Sequence, residues 1–128
     1  MKYYFEKITS YSFDEAIEKV TEELKKEGFG ILTEVDVKAT LKKKLDVDFR
    51  KYRILGACNP PFAYKTLQVD LNIGTMLPCN VVVMEMDDGK VRITAVDPKA
   101  SMMAVDNLEL GPIANQIQKK LKKVIDNI

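Results

Sequence analysis

The feature that most constrains this chain is Asp88-Gly89, set between two runs rich in β-branched residues. Val81-Val82-Val83-Met84-Glu85-Met86 precedes it and Val91-Arg92-Ile93-Thr94-Ala95-Val96 follows it. An Asp-Gly pair so placed predicts a β-hairpin with a type I′ turn, because that turn needs positive φ at both central residues. Pairing outward from the turn sets Met86 opposite Val91, Met84 opposite Ile93 and Val82 opposite Ala95. Those pairs make one wholly apolar face, assigned to the core. The second face then holds Glu85 opposite Arg92, Val83 opposite Thr94 and Val81 opposite Val96. The opposite-charge pair supports this register by about 0.2–1 kcal/mol. A slip of one residue would turn every side chain to the other face.

The rest of the chain alternates helix and strand signals. Residues 2–9 read as an aromatic-rich strand. Ser12 with Glu15 three residues on is a capping box, opening a helix whose Phe13, Ile17, Val20 and Leu24 share one face. Gly28 supplies its left-handed end. Over residues 29–37, Phe29, Ile31, Thr33, Val35 and Val37 are predicted to face one way, with Glu34 and Asp36 toward solvent. A short basic helix from Lys38 to Leu45 follows, with Leu41 and Leu45 inward. Tyr52 to Cys58 reads as a strand, and Asn59-Pro60 as the cap and first position of a helix reaching Val69, with Ala63 and Leu67 inward. A loop carrying Gly74 leads to Pro78. After the hairpin, Asp97-Pro98 opens a short turn. The last helix, from about Gly111 to Asn127, carries an apolar stripe of Ile113, Ile117, Leu121, Val124, Ile125 and Ile128.

This order predicts an α+β fold of two layers: a mainly antiparallel sheet with α-helices packed on one face. The 128 residues suffice for a single domain, 1–128, with a core that needs no disulfide or metal. A net charge of +1 supplies no bulk field for nucleic acid or an anionic membrane, and neither partner is expected. The N-terminal residues lack a signal-peptide pattern and no apolar run approaches a membrane span, which places the protein in the cytoplasm. Its two cysteines are then free thiols. The chain has no histidine, which removes the commonest general base and the commonest metal ligand. No cofactor or metal is expected.

One combination of motifs is specific. Gly56-Ala57-Cys58-Asn59-Pro60, the helix holding Ala63 and Leu67, Ile73-Gly74, and Leu77-Pro78-Cys79-Asn80-Val81-Val82-Val83 occur in that order. Glu27-Gly28-Phe29-Gly30-Ile31-Leu32 precedes them and Asp97-Pro98 follows. Together they resemble domain-of-unknown-function family 302 over nearly the whole chain. The resemblance implies a compact two-layer α/β domain that dimerises. It implies no mechanism, since the family has no established activity.

Both cysteines lie in proline-flanked Cys-Asn pairs at the edges of apolar runs. If the strands ending at Cys58 and starting at Cys79 are antiparallel neighbours, the two thiols share one end of the sheet. Cys58 also precedes a helix N-terminus, which favours thiolate. Against a reactive pair, there is no Cys-x-x-Cys spacing, two thiols make half a zinc site, and a free cysteine packs as a small hydrophobe. Asn59 has an adequate structural role as a helix cap and Asn80 as a turn residue beside Pro78, with polar lining of a small pocket as the functional alternative. The leading site is therefore a small-ligand pocket at Cys58, Asn59, Pro60, Pro78, Cys79 and Asn80, with no catalytic residue assigned. A thiol-dependent redox protein or enzyme using Cys58 and Cys79 is the alternative.

Lys42-Lys43-Lys44 and Lys119-Lys120-Lys122-Lys123 read as solvated faces, because acidic residues balance them and no aromatics alternate with them. Met84, Met86, Met102 and Met103 read as adaptable packing rather than a copper(I) site. The valine-rich second face of the hairpin calls for a cover. Val81, Val83 and Val96 are accordingly assigned to a homodimer interface, with a ligand or long loop as the competing cover.

Overall fold

The computed structural model describes residues 2–128. Strands β1 (Tyr4–Thr9), β2 (Gly30–Asp36), β3 (Tyr52–Cys58), β4 (Cys79–Glu85) and β5 (Val91–Val96) form one sheet in the order β1-β5-β4-β3-β2. Every neighbouring pair is antiparallel. The helices are α1 (Phe13–Lys26), α2 (Val37–Leu45), α3 (Pro60–Val69), α4 (Pro98–Ser101) and α5 (Leu110–Asp126), with a 3-10 helix at Leu71–Met76. The fold is the expected α+β one, with α1 and α5 packed together over the central strands. Among the described residues, no helix is long and apolar enough to cross a membrane.

The hairpin forms, but its register lies one residue from the expected one. Gly89 has φ +84°, whereas Asp88 keeps an ordinary negative φ. A type I′ turn would place Asp88 in the left-handed region, which Asp visits only occasionally. Instead the Asp88 carboxylate accepts from the Lys90 N–H at 3.0 Å. The Gly89 N–H donates to Met86 O at 3.0 Å, and Met86 N–H donates to Lys90 O at 2.8 Å. The loop is thus Asp87, Asp88 and Gly89, the longer hairpin form in which glycine takes the left-handed position after a type I turn.

Val83 consequently faces Ile93, Val81 faces Ala95, and Met84 faces Arg92. The two faces exchange roles. Val81 and Val83 are fully buried in the core beneath the helices, with Leu55, Val91, Ile93 and Ala95. They present no surface to a partner, so their assignment to an interface is corrected. Val82 and Met84, expected inside, lie with Val96 on the uncovered face and are half-buried. The Glu85–Arg92 pair does not form, and Arg92 instead approaches Glu6.

Strand β2 breaks its alternation in the same way. Ile31 pairs with Ala57 and Thr33 with Gly56, so Leu32 is an extra residue between them. Glu34 and Asp36 are thereby brought to Arg53, whose guanidinium nitrogens lie 2.8 Å and 3.4 Å from their carboxylates. The same guanidinium sits 5.6 Å over the Phe13 ring, which anchors the start of α1.

Helix α1 begins with the expected reciprocal cap between Ser12 and Glu15, and Gly28 follows it at φ +86°. Helix α5 presents Leu110, Ala114, Ile117, Leu121, Val124 and Ile125 to the core. Helix α2 buries none of its residues, and Leu45 is 66% exposed, so its expected inward face is absent. A smaller cluster of Ile73, Met102, Leu110 and Ala114 joins the 3-10 helix to α4 and α5.

Candidate functional site

Strand β3 runs directly into α3, and β4 returns antiparallel beside it with Cys79 opposite Ala57. The ends that carry Cys58 and Cys79 therefore lie together, and both cysteines are free and half-buried. Between these strand ends and α3 is a cavity of about 310 Å³. Phe62, Ala63, Thr66 and Leu67 line it from α3. Cys58, Asn59, Leu77, Pro78 and Cys79 close it at the sheet, and Phe29 and Ile117 seal it toward the core. The Leu77-Pro78 peptide is cis.

Among the described residues, none lining this cavity carries a charge. Its polar groups are largely committed elsewhere. Thr66 Oγ1 donates to Phe62 O at 2.7 Å, one turn back along α3. Asn59 Nδ2 donates to Glu27 O at 3.1 Å, tying the start of α3 to the end of α1. Asn59 is thus the cap residue by position, but its side chain makes no cap hydrogen bond. A Cβ on Gly28 would lie 3.1 Å from that amide, so the close approach of the two segments needs the glycine as well as its positive φ.

Burial pushes the Cys79 thiol up to about 11, and the neighbouring Cys58 adds to the shift. Near neutral pH only about one Cys79 in 10⁴ would be thiolate. That is the reverse of what a nucleophilic or metal-binding cysteine requires. Among the described residues, no group of three or more Cys, Asp or Glu is placed to hold a metal.

Of the six pocket residues expected from sequence, Cys58, Asn59, Pro78 and Cys79 line this one cavity. Pro60 is exposed at the first position of α3 and does not line it. Asn80 is exposed and pairs with Gly56 on the opposite face of the sheet. Gly56 marks where strands β2, β3 and the Pro78 segment crowd together. A Cβ there would collide with Thr33 Oγ1 and come within 2.7 Å of Pro78 Cγ. Sequence reading missed Phe29, Phe62, Thr66 and Ile117 as lining residues. Phe62 and Thr66 lie four apart on α3, a spacing that puts them on one face.

The family described as domain of unknown function DUF302 matches residues 5–128. The crystal structure of an uncharacterised conserved DUF302 protein from Bacillus stearothermophilus is 32% identical in sequence and superposes with a TM-score of 0.92. That likeness covers 99% of this chain and 98% of the other. Among curated proteins, none matches the chain.

Proposed function

The chain belongs to the DUF302 family, and from that premise we propose that it is a binding module for a small, uncharged, apolar molecule held between α3 and the adjoining ends of β3 and β4. The observation that carries this reading is the cavity of about 310 Å³ with no charged residue in its lining. Its volume lies at the lower end of the about 300–1,000 Å³ typical of ligand pockets. A charged ligand would leave its solvation shell there without gaining a counter-charge. The same features weigh against the thiol-redox alternative, because the raised Cys79 is a poor source of thiolate. Free thiols suit a reducing compartment, and a cytoplasmic location is part of this proposal.

Titration with the uncharged fluorophore 1-N-phenylnaphthylamine tests it. Saturable emission at one site per chain is expected, with binding at least tenfold weaker in Ala63→Phe, which fills the cavity from α3. Absence of saturable emission, or equal binding by Ala63→Phe, would contradict it.

A second reading concerns assembly. The sheet face away from α1 and α5 carries Ile54, Val82, Met84 and Val96, and Val35 beside them is 45% exposed. An antiparallel sheet tolerates one wet face, but a wide apolar one favours a cover. A second copy of the chain across this face is the proposed cover, with Val96 in the interface and Val82 and Met84 in the places first given to Val81 and Val83.

A further inference from the structure

The uncovered face of the sheet is concave, with an open cleft of about 510 Å³. The strand register builds it. Tyr4 lies opposite Val96, Tyr52 opposite Met84, and Met84 opposite Arg92, so all five side chains share one face. Val82 and Met84 give the cleft an apolar floor, and the Tyr4 and Tyr52 rings stand at its two sides. Among the described residues, Arg92 is the one charged residue in the lining.

Arg92 is short of acceptors. Its Nε is buried and has no hydrogen-bond partner. One terminal nitrogen meets Met84 Sδ at 3.4 Å, and a thioether is a weak acceptor. The other lies 3.9 Å from Glu6 Oε2, beyond hydrogen-bonding distance. A guanidinium offers five donors in a planar fork that matches a carboxylate in bidentate fashion. Glu6 at that distance tolerates a monoanion on Arg92 better than a dianion such as phosphate. The flanking rings and the valine floor offer flat apolar area for the rest of a ligand.

We propose that this cleft binds a small molecule carrying one carboxylate on a flat apolar body, with the carboxylate on Arg92 and the body over Val82 between Tyr4 and Tyr52. The site is separate from the uncharged cavity at the other side of the sheet, and its ligand differs in charge. A second copy seated on Val82 and Met84 would cover the same floor, so it competes with this ligand, and binding is read at dilutions where the mass is that of one chain.

The test is titration with 2-naphthoate, followed by calorimetry and by the NMR signal of the Arg92 Nε–H. Saturable binding at one site per chain is expected, with a shift of that signal. The neutral isostere 2-naphthamide and the Arg92→Gln variant should each bind at least tenfold more weakly. Arg92→Lys, which keeps the charge without the fork, should fall between wild type and Arg92→Gln. Ala63→Phe should bind 2-naphthoate as wild type does, which separates failure of this site from failure of the apolar cavity. Lack of saturation, equal binding of 2-naphthamide, or wild-type binding by both Arg92 variants would overturn the proposal. So would an Nε–H signal that shifts with protein concentration alone as the mass doubles, since the acceptor would then belong to a second copy.

Discussion

Cys58 and Cys79 stand on adjoining strand ends, and their surroundings, rather than their nearness, decide what they can do. The pairing of their motifs was legible because each cysteine interrupts an apolar run beside a proline, where strand gives way to helix or loop. The ionisation of Cys79 was not legible, because burial depends on α3 and α5 closing over it. With the thiol raised from 9.0 to about 11, peptide mapping of iodoacetamide-treated native protein should show Cys79 labelling that climbs about tenfold per pH unit between pH 8 and 10. A plateau near pH 9 would contradict this. The linked effect on stability has a definite sign. The folded state holds the proton more tightly, so this contribution is intact below about pH 9 and is lost as pH rises toward 11. Asn59 carries a similar lesson: its place as a cap followed from Asn-Pro, but its bond to Glu27 O needed the fold to bring α1 to it.

The elements themselves were largely readable from periodicity, capping and turn chemistry, and the errors lie in register. Asp88-Gly89 signals a hairpin in either loop length, and the two differ by one residue in which side chains meet. Both faces of the hairpin are rich in apolar residues, so hydrophobic pattern alone could not choose between them. In β2 the extra residue Leu32 likewise moved Glu34 and Asp36 to Arg53. Helix α2 was given an inward face from leucine spacing, yet it packs chiefly against β2 and β3 and none of its residues is fully buried. The observed register makes a sharp distinction between neighbours. Val83→Asp places a charge in the sealed core and should cost several kcal/mol, enough to threaten folding. Val82→Asp lies on the open face and should cost about 1 kcal/mol or less. Denaturant unfolding of the two variants checks this, and a larger loss for Val82→Asp would restore the register first expected.

At the scale of the whole molecule, one sheet serves two surfaces of different character. The helix-covered side ends in an uncharged cavity, and the open side holds a cleft with an apolar floor and Arg92 in its lining. The fold class followed from the order of elements, and the neighbourhood of the apolar hollow from the two Cys-Asn motifs, but strand order and the open cleft did not, because both depend on which strands become neighbours. If two copies meet across the open face, light scattering should report a dimer for the wild type and a folded monomer for Val82→Asp; a variant that stays dimeric would place the interface elsewhere. The hollow beside Cys58 and Cys79 is proposed to accept an uncharged apolar guest. Crystals soaked in 1-bromonaphthalene test it most directly through the anomalous signal of bromine. A bromine peak among Phe62, Ala63 and Cys79 is expected, and a hollow left empty while bromine occupies other surfaces would rule out an apolar guest there.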